Sequence, residues 1–199
     1  VMNTDIDTHG GYSEYLLNGT KVRDVPTVGG LDDAHESMPI GYGHYLRVVG
    51  FGREHVDLRT LGGSGDQLVL DNLIQEFDST NRRTWTWNTD GHIGLDEVGN
   101  WLGLLTGPLG VPMLDAFHLN SIEDDGAGGL ILSFRYLDAI YRIDKATGEV
   151  TWKLGGTPTS KSLTVLGDEA SGSQHLKGQH DARLQPDGTI TVYDNGSGA

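Results

Sequence analysis

Gln179-His180-Asp181-Ala182-Arg183-Leu184-Gln185-Pro186-Asp187-Gly188-Thr189-Ile190-Thr191-Val192-Tyr193-Asp194-Asn195 sets the pattern of the chain. A histidine opens a short strand, Asp187-Gly188 supplies a turn, and Ile190-Thr191-Val192 returns as an alternating strand. The same order occurs upstream as His118-Leu119-Asn120, Gly128-Gly129 and Leu130-Ile131-Leu132. It occurs again as His55-Val56-Asp57, Gly65-Asp66 and Leu68-Val69-Leu70, so the histidines stand 63 and 62 residues apart.

A second feature keeps this phase. Ile74 to Phe77 leads through Asp78 to Trp85-Thr86-Trp87, and Ile140 to Ile143 leads through Asp144 and Gly148 to Val150-Thr151-Trp152. Each repeat then reads as four antiparallel strands with an Asp-containing turn before the last, the content of one blade of a β-propeller. The expected fold is all-β, an incomplete propeller ring of about two full and two partial blades. Residues 1–44 read as the end of one blade and a loop, 45–88 as a blade, and 89–114 as an inter-blade insertion. Residues 115–155 form the clearest blade, 156–178 a long functional or mobile loop, and 179–199 the start of another blade. Within these, 29–44 is loop-like, with His35 and His44 as exposed or turn residues that could line a channel mouth. His9 reads as a solvated loop residue, residues 96–105 as a weak helix, Gly148 as a positive-φ turn residue, and Trp152 as packing between blades.

Composition narrows the partners. A formal net charge of −14 over 199 residues disfavours nucleic acid and anionic membrane surfaces. The absence of cysteine removes disulfides and thiolate metal sites, and there is no apolar run of membrane-spanning length. With no leader and an end half-way through a repeat, the chain reads as an internal fragment.

In a propeller the innermost strands converge on the axis, so His55, His118 and His180 would meet at one mouth. Arg135 breaks the repeat, standing opposite Leu73 and Asn195, and its guanidinium suits a tetrahedral oxyanion; an ion pair with Asp138 or Asp144 is the plainer alternative. Asn120 follows His118 by two, on the same side of a strand, and adds an amide donor. Zinc on the histidines is disfavoured, because no pair has helical ligand spacing and Arg135 would repel a cation; no metal and no cofactor is expected.

Asp115-Ala116-Phe117-His118-Leu119-Asn120-Ser121-Ile122, Ile131 to Arg135, Ile143-Asp144 to Gly156, and Gln179-His180-Asp181-Ala182-Arg183 resemble the bacterial arylsulfate sulfotransferases and their wider arylsulfotransferase family. The resemblance implies a six-bladed propeller, periplasmic or extracellular, that moves a sulfuryl group from an aryl sulfate donor to a phenolic acceptor without a nucleotide. By position, His180 matches the histidine nucleophile, His118, Asn120 and Arg135 match residues that hold sulfate oxygens, and His55 matches a further active-site histidine. His92 matches a recurrent histidine to which no role attaches. His55 follows Glu54 where members often carry a second histidine, and a carboxylate there would raise the imidazole pKa. Two other readings stay open: a non-catalytic propeller binding a ligand or protein at the same mouth, and a metal-dependent propeller hydrolase or lactonase. Oligomeric state is open.

Overall fold

The computed structural model describes residues 2–3, 11–99, 104–106, 112–167 and 175–197. These are all-β apart from three short 3-10 turns. β1 (Met2–Asn3), β2 (Gly11–Tyr15) and β3 (Lys21–Pro26) form an antiparallel sheet in that order. Asn18-Gly19 turns the β2–β3 hairpin, with Gly19 at φ +85°.

The second sheet rests on three long antiparallel strands, β4 (Leu31–Gly41), β5 (His44–Val56) and β6 (Gln67–Phe77). β7 (Arg83–Asn88) pairs with the second half of β6. β8 (Leu104–Thr106) and β9 (Pro112–Asp115) occupy the first half of the same edge, with β9 parallel to β6 and Leu70 opposite Asp115. Among its described residues the insertion therefore carries strand and a 3-10 turn rather than α-helix. Of the helix expected at 96–105, residues 96–97 lie in a 3-10 turn (Leu95–Glu97) and 104–105 in β8, while residues 100–103 and His9 lie outside the described residues.

β10 (Leu119–Asp124), β11 (Gly129–Phe134), β12 (Ala139–Asp144) and β13 (Val150–Gly155) make a four-stranded antiparallel meander. β11 is buried along its whole length, so it reads as a nearly continuous apolar run instead of alternating. β14 (His180–Leu184) and β15 (Ile190–Tyr193) close as a hairpin. Trp152 packs against the cluster of Ile131, Ile140, Leu176 and Ala182, between the meander and this hairpin. Gly148 has φ +79°, its carbonyl accepts from the Trp87 indole at 2.9 Å, and an added Cβ would sit 3.1 Å from His92.

Two expectations are corrected here. Residues 31–41 are not loop but β4, the first strand of its unit. Leu68 to Phe77 is one strand, β6, not two. The four-strand units are thus β4–β7 and β10–β13, with a 3-10 turn between the second and third strand of each, at Arg59–Leu61 and Arg135–Leu137. First strands neighbour first strands: β10 packs beside both β4 and β14.

Lys153 is fully buried and donates to Glu97 and to the Thr157 carbonyl, each at 2.5 Å. The Tyr141 hydroxyl donates to the same Glu97 at 2.8 Å, fastening the insertion to the meander.

Candidate functional site

Three imidazoles meet where β4, the start of β10 and β14 adjoin. The ring centroids of His35 and His118 lie 4.7 Å apart, those of His118 and His180 5.9 Å, and those of His35 and His180 6.1 Å. One nitrogen from each lies within 4.8 Å of the others.

Each ring is oriented through Nδ1. Asp33 Oδ1 takes both the backbone N–H of His35 at 2.9 Å and its Nδ1–H at 2.7 Å. Asp33 is itself anchored from below: the Tyr12 hydroxyl donates to its carbonyl at 2.5 Å, and buried Arg47 pairs with the adjacent Asp32. Asp115, at the end of β9, binds His118 through its backbone N–H at 3.1 Å and through Nδ1 at 2.9 Å. β9 thereby supplies a site residue from the point where the insertion joins the next unit. His180 Nδ1 lies 3.0 Å from the Gly178 carbonyl, which also accepts from Asn195 Nδ2 at 2.5 Å. An Nδ1–H that donates leaves the lone pair on Nε2.

The backbone is held in a costly shape to do this. His118 has φ +53° and Asp181 φ +60°, left-handed values for non-glycine residues, and the β10–β11 and β14–β15 ladders shift register beside them. Such residues cost about 1–3 kcal/mol each and cluster where side chains must be re-aimed. Gln179 secures the strain at β14: it is fully buried and donates to the carbonyls of Phe134 at 3.0 Å and Ala139 at 2.9 Å.

The imidazoles are not equivalent. Burial pushes the His180 pKa below the ordinary histidine value, with the His118, His35 and Arg135 charges acting the same way against the Gly178 hydrogen bond. The hydrogen bond to Asp33 holds His35 above it, against burial.

Of the sequence-derived candidates, His118 and His180 are brought together, and Arg135 stands by them. Arg135 opens the 3-10 turn after β11, its backbone N–H donates to the His118 carbonyl at 3.1 Å, and its field bears on both His35 and His180. Its guanidinium lies over the Tyr136 ring at 5.2 Å, and that ring flanks His118 at 4.8 Å.

Asn120 and His55 are placed differently from expectation. The Asn120 amide does not face the imidazoles as a spare donor. Its nitrogen donates to the Gln179 carbonyl at 3.0 Å and its oxygen accepts from the Asp181 N–H at 3.3 Å, so it clamps the peptide groups on either side of His180. His55 is 81 % exposed and bonded to Asp66 at 3.0 Å, at the far end of β5. Leu31 opens β4 opposite Gly50, so His55 lies five residues beyond, roughly 16 Å of extended chain.

His35 stands where His55 was expected. The signal that would have found it is local: Asp33-x-His35 and Asp115-x-x-His118 each set a carboxylate at ring-orienting distance. His92 is elsewhere, packed on Trp87 at 5.1 Å beside a cavity of about 390 Å³ shared with Arg53 and Asp90. Among the described residues no helix is long and apolar enough to cross a membrane.

No curated protein matches the chain. The model of the arylsulfotransferase (ASST) family matches residues 15–199, a span that holds every residue of the histidine cluster and its orienting carboxylates, and the chain accordingly belongs to the arylsulfotransferase family.

Proposed function

We propose that the chain is part of a β-propeller sulfotransferase in which His180 carries the sulfuryl group between an aryl sulfate and a phenol. The observation that carries this reading is the meeting of three oriented imidazoles beside Arg135.

Neutral His180, kept so by burial, attacks sulfur through Nε2. The S–N bond forms as the bond from sulfur to the phenolic oxygen breaks. His35, whose protonated form the hydrogen bond to Asp33 favours, gives its proton to the departing phenolate. The acceptor phenol then enters, its proton returns to His35, and its oxygen takes the sulfuryl group from His180. Two groups with pKa values pushed apart suit the nucleophile and the acid. Arg135 and His118 stabilise the equatorial oxygens; one such donor contributes roughly 2.7–4 kcal/mol to the transition state. Tyr136 offers an aromatic wall beside His118.

Incubation of the full-length protein with an aryl sulfate should yield a peptide sulfated on His180 by mass spectrometry, with ping-pong kinetics toward the phenol. Full transfer activity in His180→Ala would overturn the assignment.

A further inference from the structure

We propose that the His35, His118 and His180 cluster is also a reversible Zn²⁺ site, and that the bound ion shuts off sulfuryl transfer. The binding rests on geometry alone; the inhibition rests on the reading of His180 as nucleophile.

Spacing is the first ground. One nitrogen from each ring lies within 4.8 Å of the others. A tetrahedral zinc at its usual bond lengths to imidazole needs ligand nitrogens about 3.3 Å apart, so the three rings must draw together by up to about 1.5 Å to take the ion. Three protein ligands leave a fourth position for water.

The second ground is what stands behind the ligands. Zinc-bound histidines commonly donate their other N–H to a carboxylate or a backbone carbonyl, which fixes the ring and raises its basicity. All three rings have such a partner already: Asp33 for His35, Asp115 for His118, and the Gly178 carbonyl for His180. With Nδ1 of His35 and His118 on carboxylates and Nδ1 of His180 set between the Gly178 carbonyl and the Asn195 amide, Nε2 is the nitrogen left to coordinate.

Charge is the third. Arg135 opposes a cation, but the carboxylates of Asp33 and Asp115 touch two of the three ligands. An all-imidazole set suits zinc and its transition-metal neighbours, and not the oxygen-seeking Mg²⁺ or Ca²⁺.

A coordinated Nε2 has no lone pair with which to attack sulfur. Zinc on His180 therefore blocks the transfer step.

The test uses the full-length protein stripped of metal. Titration with ZnCl₂ by calorimetry should show one site, and Co²⁺ should give the visible absorption of a tetrahedral complex. His35→Ala and His118→Gln should each weaken zinc at least 10-fold, and Asp33→Asn about 10–100-fold, while His44→Ala, half-buried and outside the cluster, should not. Circular dichroism confirms that each variant is folded. Zinc should block phenol release from an aryl sulfate, with EDTA restoring it. Equal zinc affinity across the folded variants would overturn the site. Binding without loss of sulfuryl transfer would overturn the inhibition and leave His180 as nucleophile. Activity that requires zinc would overturn both the inhibition and the sulfohistidine reading, in favour of a metal-dependent hydrolase.

Discussion

Arg183 and Glu36, 147 residues apart in sequence, meet at 2.6 Å between β14 and β4. The same guanidinium donates to the Ile122 carbonyl at 2.9 Å and to Asp181 at 2.7 Å, so one side chain ties all three first strands together. Each end of the pair is within three residues of a clustered histidine. Arg183→Met leaves Glu36, 12 % exposed, without its partner. Because Arg183 is a third exposed, the expected cost is about 1–3 kcal/mol, below that of a fully buried pair. Thermal unfolding should show it, and Glu36→Gln combined with Arg183→Met should recover part of the loss.

Asn120 separates two roles. As a clamp on the peptides beside His180, Asn120→Ala should lower kcat while leaving KM for the aryl sulfate nearly unchanged, and destabilise the protein by about 1–3 kcal/mol. A direct substrate contact would instead raise KM. Steady-state kinetics with a chromogenic aryl sulfate distinguish them.

His35→Ala should lose transfer activity by about 10²–10⁴-fold, the ordinary contribution of a general acid. His55→Ala, exposed and remote, should stay within about 3-fold of the parent. The order of these two losses is read directly from initial rates.

Lys153→Met takes the cation from Glu97 and the donor from the Thr157 carbonyl, while the Tyr141 hydroxyl stays bonded to Glu97. Breaking a buried pair from one side costs about 3–5 kcal/mol. Denaturant unfolding of the variant should show a loss of that size, with the described end of the insertion losing hydrogen-exchange protection first.

Acid should erode stability through the repeat turns. The Thr147 backbone N–H, then its hydroxyl, hold the Asp144 carboxyl below its ordinary pKa. A depressed carboxyl stabilises the fold above its unfolded pKa of about 3.9, and that contribution is lost as pH falls through the folded value. The melting temperature of Asp144→Asn should therefore lie below the parent at pH 7, with the gap narrowing as the pH drops beneath about 4.

The meander β10–β13 could be read from the sequence because Gly128-Gly129, the Asp144 turn and Gly148 punctuate it cleanly. β4 could not. Asp32, Asp33, His35, Glu36 and Pro39 give it neither apolar alternation nor β-branched character, since a first strand that carries a polar site gives up the pattern that marks a strand. Without β4, a four-strand unit needs two strands from β6, and the 63-residue spacing then falls on His55. His55 sits beside the link between second and third strands, the place that Arg135 holds in the next unit. The Asp78 and Asp144 turns do share a phase, because both follow a third strand. Gln179 and Asp115 were missed for a different reason: their partners are carbonyls and a ring that only tertiary packing brings near.

His35, His118 and His180 enter from three separate sheets. Any guest gripping all three rings is therefore also a clasp on its host, and seating it would make the sheets harder to pry apart. Catalytic occupancy and mechanical cohesion become one property, and by mass action a saturating guest should raise resistance to protease as surely as it fills the pocket.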